Sequence, residues 1–219
     1  MTSFQKIAQV QTEVQRSYDR VAEEYAAEFR DEMDKKPFDR KMLDWLAEKV
    51  NGFGVICDMG CGPGQIASYL HSRGVETCGI DLSPAMVEQA NRLNPDISFQ
   101  QGDMLSLSRI EDNSFGGIAA FYSIIHVPRL RVVEALSELK RVLTARGVLL
   151  IPFHIGRETL HKDEFLGREV SLDFHFFETE EMKGYLTEAG FEIEEAIERD
   201  PYPDVEFPSR RAYIFARKP

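Results

Sequence analysis

The sequence lacks any long apolar run: no stretch approaches the roughly 18 uninterrupted apolar residues that cross a bilayer, so no membrane span is expected. Positive charge is scarce. Against 37 Asp and Glu stand 26 Lys and Arg, a formal net charge of -11, which repels a phosphate backbone or an anionic membrane unless a local basic face compensates. Neither nucleic acid nor membrane is an expected partner. Cysteine is sparse too. Cys57, Cys61 and Cys78 leave one over in any disulfide scheme and form no CxxC pair of the zinc or redox kind, so they read as small buried apolar residues. Repeats, low-complexity tracts and Gly/Ser linkers are missing, which leaves a domain boundary nothing to rest on. Residues 1–15 lack the basic start and apolar stretch of a secretory leader, so a reducing, cytoplasmic location is expected. The remaining composition is that of a globular chain: 219 residues, 43% hydrophobic and 29% charged, enough to bury one sizeable core.

Apolar residues first recur at helical intervals. Ile7, Val10, Val14, Tyr18, Val21, Tyr25 and Phe29 fall three or four apart over residues 5–33, which puts them on one helical face. A second helix is expected over Phe38–Val50, stopped by Gly52-Phe53-Gly54. The pattern then changes. Short apolar runs at 53–59, 75–80, 97–101, 115–121 and 146–153 alternate with helical stretches near 64–73, 84–93 and 130–143. Consecutive apolar residues suit strands buried on both faces, and alternation with helices makes those strands parallel. After residue 153 comes a less regular stretch, then a helix near 178–189 and two strands, Phe191–Ile197 and Arg211–Ala216. Their Pro-rich connection is too short for a crossover helix, so that pair is antiparallel. The expected class is α/β, a doubly wound sheet with helices at its N-terminal end.

In such a sheet, ligands bind over the carboxyl ends of the strands, where a glycine-rich first turn lets backbone approach them. Asp58-Met59-Gly60-Cys61-Gly62-Pro63-Gly64 stands at that turn, and the second run ends in Gly79-Ile80-Asp81, where a carboxylate can accept from both hydroxyls of a ribose. Together they point to a nucleoside-containing cofactor. A dinucleotide fingerprint would put its third glycine at position 65, which is Gln65; the glycine comes one earlier. Asp58 also suits a cationic ligand better than a pyrophosphate.

These segments, with Gln101-Gly102-Asp103-Met104, resemble the first three cofactor motifs of class I S-adenosylmethionine-dependent methyltransferases of the small-molecule type. Phe115–Ala120 resembles the family's fourth strand, with Gly117 where an acid is usual, and Leu139–Leu150 resembles the following helix and strand. The similarity covers about residues 18–153. It implies a mostly parallel seven-stranded Rossmann-like sheet with the last strand antiparallel, and S-adenosyl-L-methionine as cofactor, with S-adenosyl-L-homocysteine as product. It further implies that Gly60, Cys61 and Gly62 lie along the methionine part, Asp58 near its positive charge, and Asp81 on the ribose. Leu82 and Met86 would pack on the adenine, Asp103 would accept from its amino group, and Met104 would offer its backbone nitrogen. Phe121 and Tyr122 would flank the sulfonium, and Tyr18 resembles the N-terminal tyrosine that folds over the cofactor. On this reading residues 1–219 form one domain: a helical cap (1–50), a cofactor-binding core (51–153) and an acceptor-side segment (154–219).

Methyl transfer from a sulfonium is an in-line displacement whose leaving group already carries its charge, so positioning an acceptor lone pair and excluding water are the protein's main tasks. His126 and His154 are the candidate general bases, since a neutral imidazole takes a proton near pH 7. Ser123, Arg157, Arg210 and Arg211 are candidate acceptor contacts. The segment 155–176 is long enough for a lid. The residues after the fourth strand, Ala120-Phe121-Tyr122-Ser123, do not match the motif of adenine-amino and glutamine methylases, no Pro-Cys pair marks a cytosine-carbon methylase, and nothing marks a metal site. A small molecule methylated at oxygen or nitrogen is the expected acceptor, and the protein is expected as a monomer or homodimer. Three rivals stay open: an NAD-dependent oxidoreductase, opposed by Gln65 and Gly102-Asp103; a cofactor-binding regulator without catalysis; and a protein or ribosome methylase recruiting its acceptor through an exposed N-terminal apolar stripe.

Overall fold

The computed structural model describes the backbone of residues 3–219 and the side chains from residue 11 onward; Ile7 and Val10 of the expected stripe lie outside the described side chains. Helix α1 (Ser3–Phe29) is followed by a single turn, α2 (Glu32–Lys35), and by α3 (Pro37–Val50). Pro37 opens α3 with its backbone angle already helical, and Met42, Leu43, Leu46 and Val50 face inward. The strands that follow are β1 (Ile56–Met59), β2 (Thr77–Asp81), β3 (Ser98–Gln101), β4 (Phe115–Ala119) and β5 (Leu143–His154). They alternate with α4 (Gln65–Ser72), α5 (Pro84–Leu93) and α6 (Val132–Val142). All residues of β1 and β4 are buried, as the consecutive apolar runs require of strands covered on both faces. Helix α6 turns Val132, Ala135, Leu136, Leu139 and Val142 to the sheet at intervals of three and four.

Beyond β5 lie a hairpin, β6 (Thr159–Phe165) and β7 (Arg168–His175), then α7 (Thr179–Glu188) and the strands β8 (Glu192–Arg199) and β9 (Arg211–Arg217). The main sheet runs β3-β2-β1-β4-β5-β9-β8, with β1 to β5 parallel and β9 antiparallel to both neighbours. This is the expected doubly wound, seven-stranded Rossmann-like arrangement. Strand order reverses between β1 and β4, the point over whose carboxyl ends such sheets bind their ligands.

The stretch expected to be irregular is the β6–β7 hairpin. It is laid across α1: Val170 and Leu172 pack with Val14, Val21 and Ala22 of α1 and with Met86 of α5. The Ser171 amide donates to Ser17 Oγ at 3.0 Å and Arg168 Nε to Glu24 at 2.8 Å. The described part of the N-terminal apolar stripe is therefore covered, which removes the support for an exposed recruiting face. No described helix is long and apolar enough to cross a membrane.

Candidate functional site

A cavity of about 360 Å³ opens over the carboxyl ends of β1, β2 and β4 and is roofed by α1 and the hairpin, within the range usual for small-molecule sites. Its floor is the glycine turn. Gly60 has φ +74°, and a Cβ there would come within 2.3 Å of the Ser123 Cβ, so the loops after β1 and β4 touch only because no side chain intervenes. Ser123 seals the contact by donating from Oγ to the Met59 carbonyl at 2.7 Å. Asp81 ends β2 beside this floor. Its two oxygens accept from the amides of Gly62 and Ser83, both at 2.8 Å, and burial, with Asp19 nearby, pushes its carboxyl up to about 6. The lone pairs left over belong to a cavity-lining carboxylate.

Gly60, Cys61, Gly62, Leu82, Met86, Asp103, Met104, Phe121 and Tyr122 also border the cavity. Asp103 accepts from the Leu105 amide at 2.9 Å, and burial raises its carboxyl above the usual range. Asp58 does not border it. Its Oδ2 accepts from the Ala67 amide at 3.1 Å beneath the turn, Oδ1 has no partner among the described residues, and burial pushes the carboxyl up to about 8. The expected contact of Asp58 with a cationic ligand is therefore absent from the cavity wall.

The roof is joined to the floor by one hydrogen-bonded chain. His126 Nδ1 lies 3.0 Å from the Asp173 carbonyl, which can only accept, so the proton sits on Nδ1. Nε2 is then a lone pair, and the Tyr18 hydroxyl donates to it at 2.7 Å. Burial lowers His126 to about 4. With its lone pair used and its basicity low, His126 is a tie between α1, the β4 loop and β7 rather than the free base the sequence suggested.

Across the cavity stand Tyr122, His154, Phe176, Phe207, Lys36 and Arg211. His154 is stacked on Phe176 with centroids 5.1 Å apart and bonds through Nδ1 to Ser209 Oγ at 2.7 Å. Burial first, then the charges of Arg211 and Lys36, lowers it to about 3. Tyr122 has φ +50°, an uncommon backbone state for a residue with a side chain, and its hydroxyl lies 3.2 Å from that of Tyr213. Both imidazoles are therefore expected to be neutral at pH 6 and to show no titration between pH 5.5 and 8 by histidine NMR, flagged only by the about 6.5 midpoint of an ordinary histidine if the burial is wrong.

Arg157 and Arg210 do not border the cavity. Arg157 is exposed and paired with Glu178 at 2.7 Å, while Arg210 pairs with Glu198 and Asp200 at 3.0 and 3.4 Å. Arg211, the first residue of β9, is by contrast buried and borders the cavity. Sequence reasoning missed Tyr25, Lys36 and Asp39, brought in by α1 to α3, and the buried cluster behind them. There Arg199 donates to Glu206 at 2.7 and 2.8 Å, to Asp39 at 3.1 Å and to the Tyr213 hydroxyl at 2.7 Å. The 160 residues between Arg199 and Asp39 leave no local pattern to read.

Residues 56–147 match the family model described as a methyltransferase domain. A trans-aconitate 2-methyltransferase of Escherichia coli O7:K1 (strain IAI39) is 30% identical over 189 residues, 80% of this chain and 70% of that protein. YqeM of Bacillus subtilis (strain 168), described as a methyltransferase, is 28% identical over 135 residues, 59% of this chain, which spans just over half (54%) of that relative's length. Among solved structures, a SAM-dependent methyltransferase from Methanosarcina mazei has the same fold, with a TM-score of 0.71 at 19% identity over 80% of this chain and 96% of that one.

Proposed function

This chain belongs to the class I S-adenosylmethionine-dependent methyltransferases, and we propose that it transfers a methyl group to an oxygen or nitrogen of a small-molecule acceptor. The observation that carries this is a single cavity bordered at one end by the glycine turn and Asp81, and at the other by His154, Phe176, Lys36 and Arg211. The first set fits S-adenosyl-L-methionine: a half-buried, acceptor-only carboxylate suits ribose hydroxyls, Leu82 and Met86 offer apolar surface to a base, and the turn brings bare backbone to the ligand. When bound, the cofactor supplies a methyl group activated by its sulfonium. In this reading Asp81 and the turn orient the donor, Tyr18 and the hairpin exclude water, and Tyr122 with His154 borders the acceptor. In the single domain proposed, the described residues up to 50 cover the site, 51–153 hold the donor and 154–219 shape the acceptor end.

The trans-aconitate methyltransferases among the relatives are named for a small-molecule acceptor, which supports the same class here. The roof of α1 and the hairpin supports it as well, because a macromolecular acceptor would need an open face. The test is to incubate the protein with tritiated methyl donor and a bacterial extract. Label is expected in the small-molecule fraction; label confined to protein or nucleic acid would refute the small-molecule acceptor, and none at all would favour a binding protein without turnover.

A further inference from the structure

We propose that Asp19, which does not border the cavity, is a positioning residue for the methyl donor: through Ser83 it fixes the loop that carries Asp81 and Leu82. This rests on the methyltransferase reading above. Three consecutive residues of α1 tie the roof to three different elements, because successive helical side chains point about 100° apart. Ser17 Oγ accepts from the Ser171 amide of β7 at 3.0 Å. The Tyr18 hydroxyl donates to His126, in the loop after β4, at 2.7 Å. Asp19 reaches the start of α5, where its Oδ1 accepts from the Ser83 hydroxyl at 2.6 Å and from the Ala85 amide at 3.2 Å. Ser83 is fully buried, and its Oγ accepts in turn from the Met86 amide at 3.1 Å. Pro84 has no amide to give, and Val87 begins the helical ladder by donating to the Ser83 carbonyl. Asp19 and Ser83 between them therefore satisfy the amides that the first turn of α5 leaves open.

The same serine faces the donor side. Its amide donates to Asp81 Oδ1 at 2.8 Å, while Asp81 Oδ2 takes the Gly62 amide at 2.8 Å. One line of hydrogen bonds thus runs from α1 through the cap of α5 and Asp81 to the glycine turn, and Leu82 and Met86, on either side of Ser83, border the cavity. Cutting the line at Asp19 leaves the Ser83 hydroxyl and the Ala85 amide without their acceptor, and lets the loop carry Asp81 away from the place where a ribose would meet it. Asparagine could accept the same two bonds, so the charge of Asp19 has an effect of its own. The groups that act on Asp81 are Asp19, Tyr18 and Tyr25 of α1, Asp58 of β1 and Cys61 of the turn. Burial pushes the tyrosines and the cysteine up, so they are neutral at pH 7, and it pushes Asp58 up to about 8. Asp19 is the charge that adds to burial in holding Asp81 at about 6.

The test titrates S-adenosyl-L-homocysteine into the full chain by calorimetry between about pH 5 and 8. The proteins are the wild type, Asp19→Ala, Asp19→Asn, Ser83→Ala, the double alanine variant and, as a structural control from the same turn of α1, Ser17→Ala. Near pH 7.5, Asp19→Ala should weaken binding by about tenfold, the contribution of roughly one hydrogen bond, with Asp19→Asn and Ser17→Ala within about threefold of wild type. Asp19→Ala and Ser83→Ala should be non-additive, since both cut the same line. Asp19→Asn keeps the line and removes the charge, so Asp81 stays ionised to lower pH and the loss of affinity on acidification should begin at lower pH than in wild type. A residue that merely braced α1 would leave that step in place. Wild-type affinity in a folded Asp19→Ala protein would overturn the proposal, as would an equal loss in Ser17→Ala or an unmoved step in Asp19→Asn. A wild-type chain that binds neither S-adenosyl-L-homocysteine nor the donor would instead refute the methyl-donor reading, and this proposal with it.

Discussion

Asp81→Ala is expected to weaken S-adenosyl-L-methionine binding by roughly a hundredfold or more, since each hydrogen bond to a charged acceptor contributes about 1.5–3 kcal/mol and a ribose can give two. The carboxylate also accepts from the Gly62 and Ser83 amides, so its loss frees the turn as well as the sugar contact. Asp81→Asn keeps the shape and one acceptor and should fall between the two. The same residue gives a pH signature. Burial raises its carboxyl to about 6, so it is ionised above that pH and protonated below. The ionised form is the better acceptor, and affinity should be level above pH 6.5 and decline below 6 by up to about tenfold per unit, a step that Asp81→Asn removes. Titration calorimetry across pH measures both; unchanged affinity in a folded Asp81→Ala protein would contradict the assignment.

Arg199→Met should lower Tm by roughly 6–20 °C, because removing one partner of a buried ion pair costs about 3–5 kcal/mol and a chain of this size loses about 2–4 °C per kcal/mol. The Arg199 side chain is 11% exposed, and its partners Asp39 and Glu206 are 0% and 1% exposed. Without the guanidinium both carboxylates stay buried, with Arg211 and the Tyr202 amide left on Glu206 and the Tyr213 hydroxyl as the hydrogen bond left on Asp39. The cluster joins α3 to β8, β9 and the loop between them, so thermal unfolding by circular dichroism should register its loss directly. A shift under 2 °C would mean that water reaches the pair.

The glycine-turn end of the cavity was legible in the sequence, Asp58 apart, because it is local. Gly60 to Gly64 is one turn, Asp81 ends the next strand, and the order of motifs along the chain is the order of strands at the crevice. The alternation of apolar runs with helical stretches carried the sheet for the same reason. The hairpin was missed although Val170, Leu172 and Phe174 alternate with Glu169, Ser171 and Asp173, a period-two signal. Its turn hid it: Leu166 and Gly167 sit at φ +52° and +75°, and a leucine in the first place is not the Asn or Asp that marks such turns. The other end of the cavity was legible only in part: the sequence offered His154 and Arg211 as candidates but gave no sign of Lys36 or Phe207. Lys36, His154, Phe207 and Arg211 come from four distant segments, and whether an arginine faces the cavity, as Arg211 does and Arg210 does not, depends on strand register that composition does not carry.

The most direct measurement is a thermal-shift comparison of S-adenosyl-L-methionine, S-adenosyl-L-homocysteine and NAD on the same protein. A ligand at about 100 times its Kd stabilises by roughly 2.7 kcal/mol, which at about 2–4 °C per kcal/mol is a rise of about 5–10 °C. Both adenosyl ligands should produce that rise and NAD should not. A rise with NAD alone would contradict the methyl-donor site at its root, and the glycine turn and Asp81 would then have to be read as a dinucleotide site.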